Sequence, residues 1–347
     1  MKASAPADPR RFARFLAHAV LALAAVRAFA GEPVAIRLGT ILPTGTAQHT
    51  MLKELGERWR KESAGGVSLV VHADGRLGGE AEMVKKIRIG QINAGLFTVV
   101  GLSEIDPGVT GLQLMPLAFR SWAEVDYVRE KMRPLLETRL RAKGFEVLFW
   151  ADAGWVRFFS KAPAVTPNDI RRTKLFSWAG DEAQITLVKS KGFRPVPLET
   201  ADLLLGLNTD LINAAPLPPL IMLAGQLYRP APHMIDMKWV PIVGAAIMRT
   251  DVWEKISPAA RASLRAAAET TGEKLRDRGR FEDEESIRVM QTHGLKMHPL
   301  TPAADAAWQD LGGQLRASLR GTTVLADIFD AVTQHLREFR ASAAGSP

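Results

Sequence analysis

Four consecutive acids, Glu282-Asp283-Glu284-Glu285, are the first side chains in this chain that suggest chemistry, because paired carboxylates can share a proton or hold a cation. They fall inside a long, largely polar helical pattern, so the run reads as a solvated helix face. The histidines beyond residue 30 are His49, His72, His233, His293, His298 and His335. None forms the His-x-x-x-His pair of a helical zinc site, and no cysteine exists to complete another kind of metal centre. Gly101-Leu102-Ser103-Glu104-Ile105 lacks the second glycine of a nucleophile elbow, and the loop from Gly75 to Gly79 lacks the lysine of a phosphate loop. No enzyme signature, metal site or cofactor is implied. Binding in a cleft is what remains.

In open α/β sheets, ligands sit at the carboxyl ends of the strands. The order of elements shows where those ends fall. Val34 to Thr40 alternates as a first strand, and Thr46 can cap the helix that carries Met51, Leu52, Leu55 and Trp59 on one face. Val67 to Val71 reads as a second strand, and Ala94 to Val100 as a third. Ser121 opens a long helix, and Phe145 to Trp150 is a strand. Between Ser160 and Pro219 short elements alternate. They are a Thr166-Pro167-Asn168-Asp169 cap, a strand over Lys174 to Trp178, and a helix opening at Gly180-Asp181. A strand over Arg194 to Leu198 follows, then a helix ending near Asn208 and a strand over Leu211 to Ala215. Pro216-Leu217-Pro218-Pro219 should prevent that last strand from continuing as a central one. Gly244 to Met248 is a further strand, and a helix should run from Ala259 to about His293, stopped by Gly294. The strand ends offer Thr40, Phe97, Thr98, Trp155, Val156, Arg157, Phe176, Trp178 and Leu217 as ligand-facing candidates. Aromatics in this set are expected in cores as much as in sites.

The 347 residues suffice for one large or two ordinary domains, and 47% hydrophobic with 24% charged residues is a globular composition. The formal charge of +8 includes five basic residues and one acid within residues 1–30, so +4 remains beyond them. Those basic residues are interspersed with acids and form no arginine–aromatic stripe, which argues against nucleic acid. Arg10, Arg11 and Arg14, the apolar stretch Phe15 to Val26, and Ala28-Phe29-Ala30 have the order of a cleavable secretory signal. No later stretch reads as a membrane-spanning helix.

Several motifs, in this order, carry a resemblance. They are Ser160-Lys161-Ala162-Pro163, Thr166-Pro167-Asn168-Asp169, Lys174-Leu175-Phe176, Gly192-Phe193-Arg194-Pro195-Val196, and Leu207-Asn208-Thr209 leading to Ile212-Asn213. Together they resemble the second lobe of the solute-binding proteins of tripartite ATP-independent periplasmic (TRAP) transporters, the DctP-like family, and the likeness extends over nearly the whole chain after residue 30. The resemblance implies a two-lobed periplasmic-binding-protein-like α/β fold, each lobe a mixed sheet flanked by helices, with a long helix bridging the lobes. It places residues 1–30 in a signal peptide, 31–153 with 243–282 in lobe I, and 154–242 with 283–347 in lobe II. It implies a periplasmic, non-enzymatic, monomeric protein that captures a small organic solute and delivers it to membrane permease subunits. A sensor or scavenger uncoupled from import, or a periplasmic enzyme, is the alternative. The resemblance also places ligand-clamping arginines at the positions of Val156 and Phe176, and an asparagine near Leu217. Three polar contacts are thus apolar here. Arg157 is one residue off, which on a strand points to the other face. An acid ligand without its bidentate partner is costly to desolvate, so an apolar or aromatic body is the expected ligand character. The mature chain should begin at about Gly31. Intact-mass analysis of periplasmic material checks this, and recovery there of a chain retaining residues 1–30 would contradict it.

Overall fold

The computed structural model describes residues 33–179 and 182–344; the expected signal and Gly180-Asp181 lie outside them. Two mixed sheets frame two lobes. The first has the strand order β2-β1-β3-β10-β4 and the second β11-β9-β5-β8-β6-β7. In lobe I, β1 (Val34–Thr40), β2 (Val67–His72) and β3 (Ala94–Thr98) are parallel, and β10 (Pro241–Arg249) runs antiparallel between β3 and β4 (Phe145–Trp155). In lobe II, β6 (Lys174–Trp178), β7 (Arg194–Leu198) and β8 (Ala214–Leu217) are parallel, whereas β5 (Arg157–Ser160) and β9 (His233–Ile235) alternate in direction beside them. One edge strand is β11 (Lys296–His298), parallel to β9, and the other is β7.

Local chemistry sets the helices. In α1 (Ala47–Glu62), the Thr46 side chain accepts from the His49 N–H, and Leu52, Leu55 and Trp59 form the buried stripe. Further along are α2 (Glu80–Arg88), α3 (Val99–Ser103) and a 3₁₀ turn at Pro107–Leu112; α4 (Trp122–Ala142) is capped by Ser121. Strand β3 therefore stops at Thr98, two residues before the expected Val100, because the Thr98 hydroxyl accepts from the Val100 N–H and starts α3. A complete capping box between Thr166 and Asp169 opens α5 (Pro167–Arg171), and α6 is Glu182–Ser190. After α7 (Leu203–Asn208), β8 continues through Pro216 to Leu217, beyond the expected end at Ala215. The proline is accommodated because β6 pairs with β8 only at Leu175–Ala214, so β8 is already unpaired on that side at Pro216. Two short helices, α8 (Pro219–Ala224) and α9 (Thr250–Trp253), precede the long one.

That long helix, α10 (Pro258–Thr292), belongs to both cores. Leu264, Ala267, Ala268 and Leu275 pack with α1 and β1 on one face of lobe I, while Ile287 and Met290 pack with Phe159, Phe176 and Leu217 in lobe II. Close approach to β4 is possible because Gly279 is bare; a Cβ there would meet the Asp152 carbonyl at 2.8 Å. Next, α11 (Pro302–Leu319) packs Trp308, Leu311 and Leu315 on the other face of lobe II. The last helix, α12 (Ala326–Ala344), returns to lobe I: Ile328, Val332 and Leu336 join the cluster of α4 and the 3₁₀ turn. The sequence reading placed all of 283–347 in lobe II, but the apolar stripe of α12 is buried against the first lobe.

The chain passes between lobes at Gly154–Arg157 and returns through Trp239–Pro241. The strands there exchange two backbone bonds, Val156 N to Val240 O (2.9 Å) and Trp239 N to Val156 O (3.0 Å). Register slips between Pro241–Trp155 and Val243–Asp152, so β4 carries one extra residue at this point. This β-bulge lets the strand change sheets. Gly154 takes φ +99° within it, and a Cβ would lie 2.3 Å from an Asp283 carboxylate oxygen on α10. Gly144 also has positive φ, +85°, but open space around it. Gly144→Ala should therefore cost about 1 kcal/mol, from backbone conformation alone, and Gly154→Ala about 3 kcal/mol, from conformation plus displacement of α10. Chemical denaturation of the two variants checks the difference, and equal costs would count against the close contact.

Candidate functional site

Where the lobes meet, α6, which follows the carboxyl end of β6, sets Leu187 against both the lobe I cluster that contains Phe97 and Trp155 and the lobe II cluster that contains Val156. The carboxyl end of β6 thus faces lobe I. On the lobe I side, the loops after β1 and β2 are tied together. Asp74 accepts from the Thr44 N–H (2.7 Å) and hydroxyl (2.6 Å), which lowers its pKa, and Gly75 N donates to Thr40 O. Ile41, directly after β1, is 42% exposed, an apolar side chain left at the rim.

Eight of the nine predicted positions fall into four groups, and Arg157 stands apart. Thr40 is buried and its hydroxyl accepts from Leu42 N; Thr98 is half-buried at the end of β3. Thr98 is fixed by Glu80, whose carboxylate accepts from the Thr98 N–H (2.8 Å), the Thr98 hydroxyl (2.7 Å) and the Gly101 N–H (2.9 Å). Burial pushes the Glu80 carboxyl up, and the three donors pull it back. Phe97 and Trp155 are buried in the lobe I core, where Trp155 stacks obliquely on Trp122 at 4.8 Å and Lys238 lies 5.5 Å over its ring. Phe176, Trp178 and Leu217 share the α10 face of the lobe II sheet, with Phe176 and Trp178 edge to face at 4.9 Å and Trp178 still half-exposed. Val156 lies apart from them, buried on the opposite face with Phe158 and Trp239. The structure does not bring Val156 and Phe176 together.

Arg157 is 3% exposed and already committed. Its Nη1 donates to Asp236 Oδ1 at 2.8 Å, and its Nη2 lies 3.4 Å from Glu284 Oε1. Its register partner is Leu217, so it points to the α10 face, opposite Val156, as a one-residue shift requires. Among these nine residues, only Thr98 and Trp178 keep appreciable surface in this conformer.

Two neighbours of the site carry more than the sequence reading gave them. Glu80 opens α2, and its grip on Thr98 depends on an α3 start that the strand pattern concealed. Asp283 belongs to the acidic run read as solvated. Glu284 and Glu285 are indeed half-exposed, but Asp283 is 1% exposed, its Oδ2 accepting from the Trp155 N–H at 3.2 Å. Burial pushes its carboxyl up to about 7, against the pull of that N–H and of Arg157. The signal was present in the helical spacing of Gly279, Asp283, Ile287 and Met290, all buried. Nearby, Arg129 and Arg280 bracket Asp152 and Asp126, and Arg280 stacks 4.7 Å over Trp122.

The profile of the bacterial extracellular solute-binding proteins, family 7 (DctP), matches residues 38–318. The chain belongs to that family. A curated relative, the 2,3-diketo-L-gulonate-binding periplasmic protein YiaO of Escherichia coli K12, is 23% identical over 304 residues, 85% of this chain and 91% of its own length. A TRAP periplasmic solute-binding protein from Haemophilus influenzae, solved with bound L-gulonate, superposes with a TM-score of 0.79 at 19% identity, covering 88% of this chain and 99% of that one. Another from Desulfovibrio salexigens, with bound orotic acid, gives 0.78 at 15% identity over 89% and 99%. The two-lobed fold is theirs, and the family is one of TRAP solute-binding proteins, not enzymes. Within this frame Glu80 is the support of the lobe I rim. Glu80→Ala should cost about 3 kcal/mol, roughly 1 kcal/mol for each of three donors left unpaired, and Glu80→Gln distinctly less. Urea denaturation reads both, and a neutral Glu80→Ala would remove Glu80 from this role.

Proposed function

We propose that this protein captures a small organic solute with an apolar or aromatic body between its lobes, in the periplasm and as a monomer, and hands it to the membrane permease of a TRAP transporter. The observation that carries the ligand character is Phe176. It occupies the position where the resemblance places a carboxylate-clamping arginine, and it is packed with Trp178 and Leu217 rather than replaced by another cation. The relatives named above bind acids, by their names, so a carboxylate on the solute is compatible with this reading. It would be a subordinate contact. Arg157 is the obvious alternative anchor, but it already faces Asp236 and Glu284. A third carboxylate there meets net negative charge and must displace an existing partner. Trp178, half-exposed at the end of β6, and Ile41 at the opposite rim supply apolar area to be buried as the lobes close.

Closure is a rotation of lobes about the crossing strands, with the solute excluded from water in the seam. A solute binding only the native fold raises stability by mass action, about 2.7 kcal/mol at a hundredfold excess over Kd. Calorimetry against aromatic and branched monocarboxylates and short dicarboxylates tests the reading. Wild type should prefer the aromatic or branched acids by about tenfold or more, a difference of about 1.4 kcal/mol. Phe176→Arg should shift preference toward the dicarboxylates, and Arg157→Ala should leave binding of the apolar acids largely intact. Tighter binding of a dicarboxylate by wild type overturns the apolar reading. Loss of all acid binding in Arg157→Ala would make Arg157 the anchor.

A further inference from the structure

The lobe crossing is built around a carboxyl that is only half provided for. Asp283 Oδ2 has one donor, the Trp155 N–H, and its Oδ1 is buried with no partner. An ionised carboxylate in such a place wants two or three donors. The contrast lies about one turn away on the same helix, where Arg280, together with Arg129, satisfies Asp152 on β4. The charged groups around Asp283 are few and occupied. Arg157 on β5 is bound to Asp236 and Glu284, Lys238 ahead of β10 sits over the Trp155 ring, and Glu284 on α10 itself adds like charge. Gly154, directly beneath the carboxyl at φ +99°, leaves it no slack. The contact joins the lobe-spanning helix to the backbone at the point where the chain changes lobes, so a rotation of one lobe must alter it.

We propose that Asp283 is a positioning residue of the hinge. Its carboxyl, carrying a proton, holds the crossing in the arrangement with the lobes together, and its ionisation favours an opened crossing where water or Lys238 can reach the second oxygen. The proposal rests on the reading that the lobes close on a solute. It adds that solute affinity falls as pH rises. The sign follows from linkage. Burial holds the carboxyl up near 7 with the lobes together, and access to water returns it toward the ordinary carboxylate range on opening. The closed form then binds more protons than the open form. Its advantage is full on the acid side and is lost as pH rises through the interval between the two values, by up to tenfold for each unit.

The test uses the whole mature protein from pH 5 to pH 9, comparing wild type with Asp283→Asn, a neutral isostere. Small-angle scattering without solute should show a wild-type radius that grows toward high pH with a midpoint near neutrality, while Asp283→Asn stays at the acid-side value throughout. With phenylacetate as probe, wild-type affinity should fall tenfold or more between pH 5 and pH 8, and that of Asp283→Asn should not. Carbon-13 NMR of the aspartate carboxyls in wild type should find one group titrating near neutrality, and this measurement stands even if the variant folds poorly. A variant that keeps the wild-type pH profile, a flat wild-type profile, or no aspartate titrating above pH 5 overturns the proposal. Failure of phenylacetate to shrink the radius at any pH would instead overturn solute-driven closure. A solute-driven contraction that is identical at every pH overturns only the role of Asp283.

Discussion

The bare approach of α10 to β4 is the constraint on which the remaining architecture depends. A helix that contributes Leu264 and Leu275 to one core and Ile287 and Met290 to another cannot follow either lobe alone. It needs a stretch with little apolar grip, where the two lobes can turn, and that stretch is Gly279 to Asp283. Packing there is replaced by backbone approach and by polar contacts, which are directional and short-ranged. Tight apolar packing resists continuous deformation. Placing the change of lobe under Gly154 and Asp283 keeps the deformable region small while both cores remain close-packed.

The polar groups of this region fall into two kinds. Asp126, Arg129, Asp152 and Arg280 neutralise one another in a cross-braced cluster whose inner pair, Arg129 and Asp152, is buried, and Arg280 adds a stacking contact to Trp122. Such a cluster is sensitive to the loss of any member, because what remains is an uncompensated buried charge. It ties α4, β4 and α10 into a single rigid piece of lobe I. Asp283 Oδ1, Trp155 Nε1 and Arg157 Nε, at the crossing, are the opposite kind: each is a buried polar atom without a partner. Arg129 Nε also lacks a hydrogen-bond partner, but the charge of Arg129 is neutralised within lobe I, whereas the three atoms at the crossing lie where a change of arrangement can still improve their bonding.

Much of this was legible in the residues. Strands β1, β6 and β7 and the long helix follow from periodicity and from glycine stops, since their side chains alternate against a core or carry recognisable caps. The family was legible through the order of its turn motifs. Less legible were features that depend on partners distant in sequence. β3 ends early because Thr98 caps α3. Pro216 is tolerated because β6 has already diverged from β8. The return of α12 to lobe I depends on which core is left uncovered, which no local pattern states. Phe176 and Arg157 were expected to face a ligand from position alone, yet both are buried, Phe176 in the lobe II core and Arg157 against Asp236 and Glu284. The burial of Asp283 was concealed by its acidic neighbours: Glu284 and Glu285 have exposed side chains, and Glu282 is half-buried against Gln48 and Arg278.

The closing helices α11 and α12 have a mechanical consequence. Trp308 bonds to the Val165 carbonyl of lobe II, Arg316 donates to the Pro116 carbonyl of lobe I, and α12 is sealed into lobe I. The polypeptide therefore spans the seam four times: at Gly154–Arg157, at Trp239–Pro241, along α10, and through α11 into α12. A body joined to another by one tether can swing in any direction. Four tethers restrict the directions in which one lobe can move against the other, so the two surfaces across the seam keep a fixed pairing.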